Sequence, residues 1–324
     1  MIVVGDEERS PFGDRPSHVA IGVFDGLHLG HQKVIETLLS LDGRSGVATV
    51  VTFDPHPALV LAPGRTTRLL QTLEQRLEGL EALGVEQVRV VTFGPELAQM
   101  SAEEFVQRVL VDELRAAHVL VGKDFRFGHD RLGDVSTLRR EGDVAGFAVS
   151  EAPTYGSPRW SSTLVRTALD RGDLEEANAV LGRPFVLRGD VEHGDARGRE
   201  LGFATANLAL ATHQAIPEIG IYAGAARTGD ANWHGAAISI GTRPQFYDDG
   251  PLLVEVHLPD FNADLYGQRL DVAFLERLRG EMTFGGVDEL VAQIAVDVEQ
   301  TREIFKKFSP SDSLLLEWIT GQRR

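Results

Sequence analysis

Apolar and polar positions alternate along the first half of the chain in a rhythm that predicts an α/β fold. Residues 18–23 form an apolar run, and 32–41 carry Val34, Ile35, Leu38 and Leu39 at helical spacing. The succession recurs with an apolar β-rich run over 47–53 and a helical pattern through Leu73, Leu77, Leu80 and Leu83. A β-branched run over 88–93, a helix over 102–116 and a strand over 118–121 follow. Strands separated by helices imply a parallel sheet joined by right-handed crossovers. After residue 180 the period changes. Leu181-Gly182-Arg183-Pro184 reads as a hinge, and short alternating strands follow at 185–191, 221–227, 235–240, 252–258 and 269–275. Turn residues between them predict a small antiparallel barrel, followed by a C-terminal helix over 287–308. Beyond it, Ser309-Pro310-Ser311-Asp312 leads to Leu314–Ile319, a short extra helix or docked tail. The expected divisions are 1–182, 183–308 and a tail at 309–324.

In open parallel sheets, ligands bind beyond the carboxyl ends of the strands. Three loops that follow strands directly are chemically rich. In the first, Gly22-Val23-Phe24-Asp25-Gly26-Leu27-His28-Leu29-Gly30-His31-Gln32, two imidazoles stand three residues apart at the start of a helix. Free N–H groups and a partial positive charge make that end of a helix an anion site. Gly30 lets backbone approach a phosphate, and His28 and His31 can donate hydrogen bonds to phosphate oxygens. No GxxxxGK[ST] occurs in the chain, so this device works without a P-loop lysine. The alternatives are a capping or packed histidine, or a metal site made with Asp54 and His56. The second loop is Asp54-Pro55-His56-Pro57. The third, Gly122-Lys123-Asp124-Phe125-Arg126-Phe127-Gly128, holds two aromatic rings that could pack in the core or stack on a flat heterocycle. Ser161-Ser162-Thr163-Leu164-Val165-Arg166 marks a further helix start. Its hydroxyls could simply cap that helix, or join Arg166, one turn on, in holding a polyphosphate.

Composition narrows the partners. The chain has 324 residues, 43% of them hydrophobic, enough for two domains with real cores. It has no cysteine, which excludes disulfides, thiolate metal sites and cysteine nucleophiles. A net charge of −16 argues against a surface built for nucleic acid, though it says nothing against nucleotides. No signal peptide and no membrane-length apolar run is visible, so the expected location is cytoplasmic. An oligomer is compatible with all of this.

Together the histidine loop, Thr52-Phe53-Asp54-Pro55-His56-Pro57, the 122–128 loop and Ser161–Arg166 resemble the prokaryotic bifunctional riboflavin kinase/FAD synthetase family, motif by motif and in order. The resemblance implies a Rossmann-like nucleotidyltransferase domain with a parallel sheet that adenylates FMN with ATP and Mg²⁺. Its His28 and His31 would stabilise ATP phosphates as the FMN phosphate attacks. Ser161, Ser162, Thr163 and Arg166 would hold the polyphosphate. Gly22, Phe24, Asp25, Gly26 and Gly30, with His56, Pro57, Asp124, Phe125 and Arg126, would line the nucleotide and flavin pocket.

The second half continues the resemblance. Gly198-Arg199-Glu200-Leu201-Gly202-Phe203-Ala204-Thr205-Ala206-Asn207 is similar to the riboflavin kinase signature. That similarity assigns ATP phosphate and Mg²⁺ contacts to Thr205 and Asn207, with Gly198 and Gly202 shaping the loop. Ala204 stands where the family carries proline. In Gly241-Thr242-Arg243-Pro244-Gln245-Phe246, Arg243 and Gln245 depart from the family's asparagine and threonine. Glu255 matches the catalytic glutamate, a general base for the ribityl 5′-hydroxyl. Arg279, in Leu278-Arg279-Gly280-Glu281, falls in the flavin-side segment. The expected function is riboflavin to FMN in the barrel and FMN to FAD in the first domain, with ATP in both steps. The alternatives are an FAD synthetase whose barrel only holds flavin, a non-catalytic flavin sensor or carrier, and another nucleotidyltransferase sharing the histidine loop.

Overall fold

The computed structural model describes all residues except 7, 9, 42–45, 63–66, 155, 157–159, 194–197, 199–200, 230–231, 243–251 and 309–324. The chain forms two units, Met1–Thr67 with Leu73–Ser161, and Arg68–Thr72 with Ser162–Arg324.

The first unit is a parallel sheet of β1 (Ile2–Val4), β2 (Ser17–Ile21), β3 (Val47–Asp54), β4 (Gln87–Thr92), β5 (Ala116–Gly122) and β6 (Ala148–Ala152). Their order is β1-β4-β3-β2-β5-β6, and every neighbouring pair is parallel. β3 buries six residues in succession, as a strand covered on both faces must. Helices α1 (Leu29–Leu39), α2 (Pro57–Leu61), α3 (Leu73–Ala82), α4 (Pro95–Gln99), α5 (Ala102–Phe105) and α6 (Val135–Ala145) connect the strands. The single helix expected over 102–116 is instead one α-helical turn, opened by a Ser101–Glu104 capping box, followed by a π-helix over Val106–Glu113. Valines at 106, 109 and 111 weaken the α-helical preference, and the ladder widens until Leu114 N–H donates to Val109 O. In α3 the buried positions are Gln75, Arg76, Gly79 and Leu80 rather than the full leucine stripe.

The second unit contains α7 (Ser162–Asp170), α8 (Leu174–Leu181) and a closed antiparallel barrel. Its strands are β7 (Phe185–Glu192), β8 (Thr205–Leu210), β9 (Gly220–Arg227), β10 (Trp233–Thr242), β11 (Leu252–His257) and β12 (Arg269–Arg279), ordered β10-β11-β8-β7-β12-β9. Strand β8 was not legible as a strand, because Thr205 and Asn207 read as loop chemistry. Gly182 closes α8 at φ 70°, the left-handed position that glycine supplies without strain. Asn178 ties α8 to the barrel by donating to Phe274 O at 3.0 Å and accepting from Phe185 N–H at 2.8 Å. The segment Arg68–Thr72 joins this unit through Leu69, whose N–H donates to His213 O and whose carbonyl accepts from Ala215 N–H. Helix α9 (Val287–Phe305) follows the last strand. Among the described residues no helix is long and apolar enough to cross a membrane.

Candidate active sites

Strand β2 ends at Ile21, and Gly22 N–H makes the last sheet bond, to Val51 O at 3.1 Å. Phe24 and Leu27 then adopt left-handed φ values of 56° and 41°. Each costs about 1–2 kcal/mol in a residue other than glycine. Burial of both side chains helps hold the turn, since Phe24 is 3% and Leu27 0% exposed. Gly26, at φ 85°, meets the same demand without the Cβ clash.

Helix α1 opens at Leu29, three residues before the expected start, so the histidines are part of its first turn. His28 is the N-cap, and its Nδ1 accepts from His31 N–H at 3.3 Å. The two rings stack with centroids 3.7 Å apart, and Phe24 packs on His31 at 5.2 Å. A Cβ at Gly30 would lie 3.0 Å from His28 Nδ1, so glycine there makes room for the capping ring. His31 Nδ1 is buried without a hydrogen-bond partner among the described residues. Burial first, then His28 and Arg76, hold the His31 imidazole well below its ordinary pKa. It is therefore uncharged at neutral pH, in the first turn of the helix. Among the described residues no cluster of three histidine or carboxylate side chains forms a metal site, so the metal alternative has no donor set.

Arg76 is a buried cation next to this turn that the sequence pattern does not single out. It is 1% exposed on α3, and its Nη1 donates to Val23 O, Thr52 Oγ1 and Phe53 O. The available signal was an arginine three residues after Leu73 and four before Leu80, on a face expected to be apolar.

His56 caps α2, its Nδ1 accepting from Ala58 N–H at 3.0 Å, and Pro57 takes the first helical position. Phe127 is buried and Phe125 half-buried; the two stack at 5.2 Å and pack against the core that holds Phe105. Arg126 is exposed and donates to Asp134 Oδ2 at 3.0 Å. Asp134 is held well below the usual carboxylate range by the Ser136 hydroxyl, then Thr137 N–H and Arg126. Asp124 is exposed, and Asp25 is buried. Ser161 is the last residue of the first unit, whereas Ser162, Thr163 and Arg166 belong to the second. There Arg166 Nε donates to Arg68 O at 2.5 Å.

In the barrel, strand register assembles the site. Ser239, Glu255 and Asn207 stand opposite one another across β10, β11 and β8, and Ala237, His257 and Thr205 form the adjacent row. Val254 and Val256 alternate with Glu255 and His257 and are buried, so the polar face points away from the apolar interior. That face lines a cavity of about 710 Å³, shared with Arg279–Phe284 and with α9. The entry to β8 is a tight turn in which the Gly198 carbonyl accepts from Leu201 and Phe203 N–H. A Cβ at Gly198 would lie 2.4 Å from Phe203 O, and Gly202 sits at φ 88°. His257 Nδ1 donates to Ala204 O at 2.8 Å, which fixes the backbone before Thr205. Arg279 reaches the cavity wall, but its Nε and Nη2 bond the buried carboxylate of Asp297 at 3.1 and 2.7 Å. Arg199, Arg243 and Gln245 lie outside the described residues.

A parallel sheet with a helix-capping histidine pair, and a barrel with hydroxyl, amide and carboxylate in register, define a two-unit nucleotide-dependent transferase. Residues 12–163 match the family described as FAD synthetase, and 181–305 match riboflavin kinase. The bifunctional riboflavin kinase/FMN adenylyltransferase of Listeria monocytogenes is 39% identical over 293 residues, covering 89% of this chain and 92% of that one. Those of Pseudomonas fluorescens and Escherichia coli K12 are 40% and 38% identical, each covering 90% of this chain and 94% of theirs. A crystal structure titled as a macrolide-efflux protein from Streptococcus pneumoniae shares the fold at a TM-score of 0.82. It is 30% identical, and the match covers 95% of this chain and all of that one. The chain belongs to the bifunctional riboflavin kinase/FMN adenylyltransferase family.

Proposed function

We propose that residues 1–182 adenylate FMN and residues 183–308 phosphorylate riboflavin, with 309–324 as a tail. In the first reaction an FMN phosphate oxygen attacks the α-phosphorus of ATP, and pyrophosphate leaves. The nucleophile is already an anion, so catalysis consists of alignment and charge stabilisation. His28 and His31 donate hydrogen bonds to the phosphates and stabilise the negative charge that develops there. Ser161, Ser162, Thr163 and Arg166 bind polyphosphate. Gly22, Phe24, Asp25, Gly26, Gly30, His56, Pro57, Asp124, Phe125 and Arg126 form the nucleotide and flavin surroundings.

In the second reaction the ribityl 5′-hydroxyl attacks the γ-phosphorus of ATP. Glu255 takes the hydroxyl proton, and ADP leaves. Gly198 and Gly202 shape the phosphate loop, and Arg279 braces the flavin side. The oxygen donors of Thr205 and Asn207, on one strand face, suit Mg²⁺. When bound, that ion neutralises phosphate charge. ATP, riboflavin and FMN are the small-molecule partners. A net charge of −16 fits a cytoplasmic enzyme with no nucleic-acid partner, alone or as an oligomer.

The observation that carries this reading is the stacked His28–His31 pair at the start of α1, with His31 Nδ1 buried and without a partner among the described residues. Separation of flavins after incubation with riboflavin, ATP and Mg²⁺ tests it. Wild type gives FMN and then FAD. Glu255→Ala makes no FMN but still converts supplied FMN to FAD, and His31→Ala stops at FMN. Unimpaired riboflavin phosphorylation by Glu255→Ala would remove that residue from its role.

A further inference from the structure

The chemistry above leaves Arg76 unused, although it is among the most buried side chains of the first unit at 1% exposure. Nη1 donates to Val23 O at 3.1 Å, Thr52 Oγ1 at 2.9 Å and Phe53 O at 3.0 Å. The Thr52 hydroxyl in turn donates to Val23 O at 3.0 Å. Nε is buried without a partner among the described residues, a cost that an apolar side chain of similar length would avoid. Packing alone therefore does not account for a guanidinium at this position.

What the bonds hold is the turn that leads to the histidines. Val23 is followed directly by Phe24 at φ 56°, and Leu27 at φ 41° precedes His28. Strained backbone of this kind persists only where its surroundings over-determine it. Arg76 and Thr52 grip the turn at Val23 O, and Gln32 Nε2 grips its other end at Leu27 O, 2.9 Å away. The bond to Phe53 O fastens the same guanidinium to the end of β3. The charged groups acting on Arg76 are Asp25 from the turn and Asp54 from the end of β3, and His31 faces both Arg76 and His28. The carboxylates favour the cation, and the cation opposes a charge on His31.

We propose that Arg76 is a positioning residue for adenylyl transfer, locking the 23–27 turn to the end of β3 so that His28 and His31 are pre-formed for nucleotide phosphates. The inference rests on the reading of those histidines as phosphate-facing groups, and the test separates the two. In the full chain, FMN adenylation and riboflavin phosphorylation are measured on the same preparations of wild type, Arg76→Met, Arg76→Lys and His31→Ala, with thermal unfolding recorded for each. Arg76→Met is expected to lower kcat for adenylation roughly 10- to 100-fold, as a misplaced catalytic pair does. KM for FMN and ATP should move less than about threefold, because the lost interaction is one that matters in the transition state. Riboflavin phosphorylation stays at the wild-type rate, and Arg76→Lys recovers part of the loss. Wild-type kcat in folded Arg76→Met overturns the proposal, and so does a loss shared equally by both activities. If Arg76→Met does not fold, Thr52→Val carries the test, with a severalfold fall in adenylation kcat supporting the proposal and no change overturning it. Full adenylation by His31→Ala sinks the reading of the histidines instead, whatever Arg76 does.

Discussion

The two units build their candidate sites by different means. The first bends backbone: a strand stops, two non-glycine residues go left-handed, and a histidine caps the helix that follows. The second relies on register, with Asn207, Glu255 and Ser239 aligned across three strands and a glycine turn feeding the first of them. A loop site needs buried anchors such as Arg76, whereas a strand site inherits its rigidity from the ladder. The first arrangement is consequently sensitive to what surrounds the loop, and the second to how the chain enters the sheet.

Matched glycine substitutions sharpen this contrast. At Gly198 a Cβ meets the Phe203 carbonyl at 2.4 Å, and backbone oxygen in a turn that feeds β8 cannot rotate aside. Gly198→Ala should lower riboflavin phosphorylation about 100-fold by displacing Thr205 and Asn207, leaving adenylation of supplied FMN intact. Steady-state rates for both reactions on one preparation decide it, and equal losses in the two would break the contrast.

At Gly30 the same methyl lies 3.0 Å from His28 Nδ1, a ring that can turn. Gly30→Ala should therefore cost adenylation only about tenfold. Because alanine is the better helix former by up to about 1 kcal/mol, the first unit should unfold no more easily than wild type. A stability scan beside the rate measurement separates displacement of the ring from damage to the helix. Loss of stability without loss of rate would mean that His28 tolerates movement.

Most of this architecture was legible because its signals are local. The strand–helix rhythm of residues 18–121 and the short alternating runs after 184 announced a parallel sheet and a barrel, and the motif order singled out the histidine loop. What stayed hidden depends on tertiary partners. Arg76 looked like one more charge on a helix, because nothing local says that its face meets Val23 and Thr52. Strand β8 was masked by its own chemistry, since Thr205 and Asn207 attract attention as ligands before they register as alternate positions of a strand. The ring pair at 125 and 127 left core and flavin contact open; the side chains pack against the core, and the exposed Arg126 leans on Asp134. The early start of α1 escaped because Gly30 interrupts the helical pattern that a capping histidine then restores.

The smallest expected effect is on stability against pH, and it too divides the units. Burial, His28 and Arg76 lower the pKa of His31 well below the value of 6.5 that it has in an open chain. Below that pH the unfolded chain takes up a proton that the folded chain refuses, so stability falls as the pH falls. The slope reaches at most about 1.4 kcal/mol per pH unit between the two pKa values. His118, lowered by burial and by His18, acts in the same direction from a more exposed position. In the second unit the shifted groups are far from this window: burial brings Arg183 down only to about 10 and raises Tyr222 to about 12. The depressed carboxylates of both units, Asp6 and Asp260 among them, lose their contribution only at more acidic pH. Denaturant unfolding at pH 7.5 and 5.5 should therefore show the first unit losing stability to acid before the second. His31→Gln should remove part of that loss, gaining on wild type as the pH falls. An unchanged gap between variant and wild type at the two pH values would mean that His31 keeps an ordinary affinity for protons, against the lowered pKa that burial, His28 and Arg76 impose.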